Sequence, residues 1–380
     1  MKSDHKAVFL GGWWLGLAGA VLGLEADAMA KEEGKAGSGV TVHNKARCDE
    51  GYRLYSSRQT EMAHLIDVDG REVHRWAYPQ GKTWHYAEMQ PNGNLIAIIK
   101  DVMILELDWR SKLVWKSEMR AHHDFARLAN GHTIVASRRN LTNPWTKEGK
   151  LACDILVELT PAGETVWQWK VEEHADELAR LVKLMIPPSK KFWDFPHVNT
   201  VEVLPEGPAA KADARFRAGN LLICGRHIDT IWVIDRKTDK VVWAWGPGEL
   251  LGPHMPTMLP NGHILVYDNG HNASVTIRGY TRVLELDPLA GKIVWQYVAK
   301  PPKSFYSPAR GSNERLPNGN TLIAESDSGR AFEVTPAGEI VWELVTPERG
   351  RNGRPMALYR VCRYGREQVD RLVAKHNKAR

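Results

Sequence analysis

From about residue 50 to residue 345 the apolar positions fall into short runs of period two, separated by turn residues, with almost no period of 3.6. One unit recurs: an aliphatic–acidic strand, a turn with Gly or Asp, and an aliphatic strand ending in Trp. Its copies are Leu65-Ile66-Asp67 to Trp76, Leu105-Glu106-Leu107-Asp108 to Trp115, and Leu156-Val157-Glu158-Leu159 to Trp167. Val233-Ile234-Asp235 to Trp243, Leu284-Glu285-Leu286-Asp287 to Trp295, and Phe332-Glu333-Val334 to Trp342 complete the set of six. A second unit precedes most of them, an Asn-Gly turn followed by an aliphatic strand: Asn92-Gly93, Asn130-Gly131, Asn261-Gly262 and Asn318-Gly319. A stretched copy runs from Leu204 to Leu222, and Gly51-Tyr52-Arg53-Leu54 is a worn first copy.

Asn-Gly between apolar runs predicts a two-residue hairpin of type I′, with positive φ at both positions. Two hairpins per unit make a four-stranded antiparallel sheet, and six such units predict an all-β fold, a six-bladed β-propeller. The blades are expected at 46–79, 84–119, 121–170, 197–246, 253–300 and 308–345, within a propeller domain of 46–365. The recurrent Trp reads as a packing residue between blades. Residues 171–196 are the only helical insertion expected in the ring, opened by Glu172, Glu173, Asp176 and Glu177 and ended by Pro187-Pro188. Residues 357–362 add a strand-like segment expected to help close the ring, and 366–380 a C-terminal helical tail.

Residues 1–30 have the order of a secretory signal peptide: Lys2, His5 and Lys6, a stretch at 7–24 without charge, then Ala28-Met29-Ala30 as a cleavage site. A retained transmembrane anchor is the competing reading, since eighteen residues just reach spanning length. The five glycines and the alanine-rich end favour cleavage, so no stable membrane anchor is expected, and 31–45 reads as a flexible leader. The expected location is periplasmic or secreted, an oxidising compartment in which cysteines can pair. Cys153 and Cys224 lie in apolar strands and read as core residues. Cys48 and Cys362 flank the ring's seam, where a disulfide and two separate thiols are equally compatible with the sequence.

Composition adds little to this except tryptophan, at 15 of 380 residues. The net charge of +6 comes from 51 basic and 45 acidic residues, interspersed, so no nucleic-acid partner is expected; a weak bias toward anionic substrates is all the charge supports.

The chemistry is carried by histidines. The strand before each Asn-Gly turn is the innermost strand of its blade, and His85, His123 and His254 each stand eight residues before the turn glycine. In the fourth blade Asn199 holds that register and His197 lies two residues earlier, expected on the same strand face. Side chains at one radial position converge on the axis, which is what a site requires. Arg226, at the end of the fourth blade's second strand, suits a sulfate- or phosphate-like oxyanion, with a rim ion pair to Asp229 as the plainer alternative. A metal site ranks lower, because no acid shares the histidine register.

These segments resemble the bacterial arylsulfate sulfotransferases. The likeness runs through His197-Val198-Asn199-Thr200, Leu222-Ile223-Cys224-Gly225-Arg226-His227, Gly252-Pro253-His254, Tyr267-Asp268-Asn269-Gly270 and Arg315 to Leu322, in order along residues 50–365. The chain departs from the pattern at Pro253, where Gln is expected. The resemblance implies an exported six-bladed propeller that moves a sulfuryl group from an aryl sulfate donor to a phenolic acceptor, with no cofactor and no nucleotide sulfate. It implies His254 as the nucleophile, with His197, Asn199 and Arg226 on the sulfuryl oxygens. It also implies a general acid–base from the pair His122-His123; register favours His123, with His122 in reserve and His85 nearby as a substrate-binding candidate. Two other classes fit the repeat less well: a non-catalytic propeller that binds ligand or protein, and an eight-bladed quinoprotein dehydrogenase.

Overall fold

The computed structural model describes residues 37–58, 60–79, 84–142, 150–184, 192–272 and 276–377. The signal segment and the Pro187-Pro188 stop lie outside them. Six antiparallel sheets are arranged as the blades of a propeller. Blade two shows the plan, with strands Trp84–Met89, Leu95–Ile99, Met103–Leu107 and Leu113–Glu118 following one another from the axis outward. Its second and third strands are buried at every position, because both faces are covered by adjacent blades. The outermost strand alternates between half-buried and exposed positions, as one-sided packing requires. Innermost strands of blades three to six are Ala121–Arg127, Val198–Val203, His254–Met258 and Ser312–Arg315.

The Asn-Gly turns differ from expectation. Gly93, Gly131, Gly262 and Gly319 have φ of 90°, 83°, 88° and 86°, while none of the preceding asparagines has positive φ. In each the glycine N–H returns to the carbonyl three residues back, as from Gly93 to Gln90 at 2.9 Å. This is a type I turn closed by a left-handed glycine bulge, so only the glycine needs its conformational freedom. The residue after the glycine then turns its side chain onto the acid of the aliphatic–acidic strand. Asn94 reaches Glu106 at 2.6 Å, His132 Glu158 at 2.8 Å, His263 Glu285 at 2.7 Å and Asn320 Glu333 at 2.6 Å.

The same acids bind arginines of the next blade: Arg127 with Glu106, Arg236 with Glu158, Arg315 with Glu285, and Arg53 with Glu333. The recurrent Trp lies over these contacts. Arg236 stands 3.9 Å above Trp167, Arg315 4.7 Å above Trp295 and Arg53 4.9 Å above Trp342. Three of the indole N–H groups also cross the seam, to Asp239, Pro336 and Val68. Tryptophan therefore packs between blades, as expected.

The ring is closed twice. Leu358–Tyr364 is the innermost strand of blade one and pairs with Tyr52–Ser57. Gly39–His43, which the sequence reading placed in a flexible leader, pairs with Ile340–Val345 as a fifth, outer strand of blade six. The tail helix, Arg366–Asn377, buries Val369 and Leu372 against blades one and two. Among its described residues the 171–196 insertion holds a 3-10 turn, Val171–Glu173, and a short helix, Ala175–Leu181; it is not the only helical stretch, since Pro208–Ala212 is helical in the fourth blade's loop. The insertion ends in a strand, Phe192–Phe195, paired in parallel with the first half of Lys150–Leu159. All four cysteines are free thiols: Cys48 lies in the blade six cluster, and Cys362 lies beside Tyr86, with Sγ 3.9 Å from its hydroxyl.

Candidate active site

His254 opens the innermost strand of blade five and is 2% exposed. The approach to it is sterically fixed. Gly252 has φ of 64°, and a Cβ there would fall 2.4 Å from the His271 carbonyl oxygen, so only glycine fits. The Gly252 N–H donates to Asp229 Oδ1 at 2.6 Å, and Asn199 Nδ2 donates to the Pro253 carbonyl at 2.7 Å. The imidazole is oriented by Asn269. Asn269 Nδ2 donates to the carbonyls of Ser307 at 2.6 Å and Arg310 at 2.8 Å, which leaves Oδ1 as acceptor, 2.7 Å from His254 Nδ1. Nδ1 therefore carries the proton and Nε2 the lone pair. That Nε2 is buried and has no hydrogen-bond partner. Burial, with Arg226 nearby, holds the ring's pKa well below the usual histidine range, so it is a neutral imidazole.

A file of four rings runs from the innermost strand of blade two to the turn after the second strand of blade four. His85 and His123 have centroids 4.5 Å apart, His123 and His197 4.6 Å, and His197 and His227 4.4 Å. Each Nδ1 is occupied: His85 by the His123 N–H at 3.0 Å, His123 by His122 Nδ1 at 2.8 Å, His197 by Asp194 Oδ2 at 2.7 Å, and His227 by the Asp194 carbonyl at 2.7 Å. His85, further stacked on Tyr359 at 4.3 Å, serves the packing of His123. His122 is bonded to His123 through that Nδ1 contact, and its Nε2 is 3.0 Å from Asp154 Oδ1. Burial lowers the pKa of His85 and His123 well below the usual range, and that of His227 to about 3.

Arg226 begins a 3-10 turn, Arg226–Ile228, just past the strand end. Its Nη2 donates to the Pro308 carbonyl at 3.2 Å, and Nε is buried without a partner. The alternative pairing with Asp229 does not form: Asp229 Oδ1 accepts from Gly252 and Asn272, and no carboxylate lies within 4.0 Å of Arg226 among the described residues. Burial lowers the guanidinium's pKa from its usual value. A partly dry cation with a free donor, near enough to His254 to lower its pKa, can take an anionic group undergoing displacement.

Asn199 departs from expectation. His197 has φ of 64° and precedes the strand, and the pairing shifts register between Val198 and Thr200. The period of two is broken, and Asn199 turns to Pro253 and Thr200 while His197 meets Asp194. Asn199 thus braces the segment before His254.

Asp194 was not foreseen in any role, and neither were Asn269, Asp154, His227 and Arg360. A ligand atom from each of Asp194, His197 and His227 lies within 4.8 Å of the others, a set of the kind that holds a metal ion. Arg138 Nη1, however, lies 3.4 Å from Asp194 Oδ2, and that cation opposes a second one. Arg360, from the closing strand, is buried on the axis, donating to Asp124 Oδ1 at 2.7 Å and to the Asn199 carbonyl at 2.8 Å. Past it lies a separate cavity of about 280 Å³ lined by Glu88, Asp124, Glu202 and Arg360 among others, with none of the histidines. A larger cavity of about 870 Å³, between the outer parts of blades five and six, also holds none of them.

Residues 87–347 match the family model described as arylsulfotransferase (ASST). No curated protein matches the chain. Among solved structures, a protein of unknown function from Bacteroides caccae aligns with a TM-score of 0.54 at 14% identity, covering 83% of this chain and 99% of its own; the likeness is one of fold. Virginiamycin B lyase from Staphylococcus aureus aligns at 0.47 and 11% identity, over 80% of this chain and 83% of its own.

Proposed function

Because the chain belongs to the arylsulfotransferase (ASST) family, we propose that it moves a sulfuryl group from an aryl sulfate ester to a phenol through a sulfo-histidine at His254. The observation that carries this reading is the His254 Nε2 lone pair, buried, unpartnered and fixed by Asn269. The lone pair attacks sulfur, the S–O(aryl) bond breaks, and the phenolate leaves with its electron pair. A second phenol then attacks the sulfo-imidazole, the S–N bond breaks, and its pair returns to Nε2. Dividing one displacement into two is what nucleophilic catalysis accomplishes. Arg226 and His197 bind the sulfuryl oxygens as their charge redistributes. His123 protonates the leaving phenolate and deprotonates the incoming phenol. No nucleotide sulfate takes part. The basic, apolar and small-residue order of residues 1–30 supports export, and with it a periplasmic or secreted enzyme.

The test is wild type against His254→Ala with 4-nitrophenyl sulfate and phenol. Wild type should release nitrophenolate and, without acceptor, carry an acid-labile adduct of about 80 Da, the mass of SO₃, on the His254 peptide. His254→Ala should do neither while keeping its thermal melt. A folded, fully active variant would refute the assignment, and an inert wild type that still binds a protein or ligand would favour the non-catalytic propeller.

A further inference from the structure

We propose that Asp154, His122 and His123 form a proton relay in which the Asp154 carboxyl, and not an imidazolium, changes charge when substrate gains or loses a proton. The inference rests on the sulfuryl-transfer reading above. The three groups come from one blade: His122 and His123 from the innermost strand Ala121–Arg127, Asp154 from Lys150–Leu159. His122 is 1% exposed and Asp154 0%.

Two ring nitrogens 2.8 Å apart share a single proton, so His122 and His123 have two coupled states. In the acid state Asp154 is a carboxylic acid facing His122 Nε2, His122 Nδ1–H donates to His123 Nδ1, and His123 Nε2 bears a proton. In the base state Asp154 is ionised and His122 Nε2–H is 3.0 Å from its Oδ1, a contact off hydrogen-bond angle in this structure that leaves neither atom any other partner; His123 Nδ1–H donates to His122 Nδ1, and His123 Nε2 is bare. The acid state holds three protons and the base state two. As the S–O(aryl) bond breaks, the leaving phenolate takes the proton from His123 Nε2; His123 Nδ1 takes one from His122, and His122 Nε2 takes one from Asp154. The incoming phenol reverses each transfer. Neither imidazole is cationic in either state.

The surroundings favour this division. His123 lies among His85, His197 and Lys100, and burial with these neighbours disfavours a positive charge on it. Asp154 has its Oδ2 on the Val198 N–H at 2.5 Å, and no Lys or Arg lies within 4.0 Å of it among the described residues. Asp194 acts on it from the insertion strand, His197 from the start of blade four, and Arg138 from the adjoining strand of its own blade. Burial makes its carboxyl harder to ionise than usual, which suits a group that must hold a proton between half-reactions.

The experiment compares kcat/KM for 4-nitrophenyl sulfate, whose leaving group is a weak base, with that for phenyl sulfate, whose phenol has a pKa of about 10. Asp154→Asn keeps an acceptor for Val198 but cannot release a proton; His122→Gln interrupts the relay at its middle. Activity on both substrates should fall, and the nitrophenyl-to-phenyl ratio should rise by about tenfold or more over wild type in each variant, since protonation matters only for the poor leaving group. The double variant should add little to either single one. A ratio unchanged in the folded variants, with wild type active, overturns the relay alone; His122→Gln decides if Asp154→Asn does not fold. A wild type inactive on both esters overturns the sulfuryl-transfer reading and the relay with it.

Discussion

Asn269 decides which nitrogen of His254 can react. Its amide is held by two carbonyls, so its oxygen must face the ring, and the ring must donate from Nδ1. Asn269→Asp would set a carboxylate against those carbonyls and favour a doubly protonated imidazole. Turnover should fall by about 10²-fold or more, on the scale of setting a catalytic histidine in the wrong state. The sign in pH follows from charge. Burial keeps His254 neutral into acid, so the wild-type acid limb lies low, and the carboxylate introduced in the variant should move it to higher pH. A pH profile of kcat checks this. The histidines were legible in the sequence because their distance from each turn glycine repeats. Asn269 stood within a quoted motif, yet its role depends on carbonyls of a loop almost 40 residues away, which no spacing reveals. His197 and Asn199 misled for a local reason, since a left-handed residue before a strand breaks the alternation that placed them together.

Strands and blades were the most legible level. The aliphatic–acidic runs announced themselves by period, and the structure adds why the acid recurs: it clasps the turn of its own blade and an arginine of the next. Gly39–His43 escaped notice because an outer strand with one neighbour needs no apolar run, and only two of its five residues are valine. The innermost strand of blade four carries an element-level prediction. Glu202 lines the axial cavity of about 280 Å³ and accepts from Met258 N at 3.0 Å, and burial raises its pKa to about 8. A carboxyl with a raised folded pKa contributes its full stability below its unfolded pKa and loses it as pH climbs through the folded value. The melting temperature should therefore decline between about pH 5 and pH 9, with part of that decline due to Glu202. Glu202→Gln should remove that part, on the order of a few kcal/mol at most, less because the side chain is only half-buried. Melts at both pH values, wild type beside variant, give the answer.

At the scale of the molecule, the ring is tied at its centre as well as at its rim. Arg360 joins the closing strand to Asp124 of blade three and Asn199 of blade four, with its guanidinium 4.4 Å from the Tyr86 ring of blade two. Arg360→Leu would strand the Asp124 carboxylate in the interior at a cost of about 3–5 kcal/mol. Denaturant unfolding should show that loss, and adding Asp124→Asn should recover part of it, because the second charge then leaves while an amide oxygen still accepts from the backbone N–H groups of Phe125 and Val201. The number of blades and the closing segment near residue 360 were both readable from repeats and from the tail's strand-like composition. The arginine was not, since it sits in an innermost strand that comes from the tail, with no hairpin of the repeat following it, and so has no counterpart in the repeat.

That strand also sets an order of events during synthesis. Blades two to five, with every histidine of the file and His254, are complete in sequence by residue 298, yet the strand that carries Tyr359 and Arg360 is made some 60 residues later. A ribosome that has finished the fifth blade has thus produced all the reactive groups and no active site. A message truncated before codon 358 would encode an open arc, with the unpaired edge of Tyr52–Ser57 exposed to other chains. An insertion placed beside the closing strand should therefore lower the yield of folded protein more than one placed in the fourth blade's surface loop.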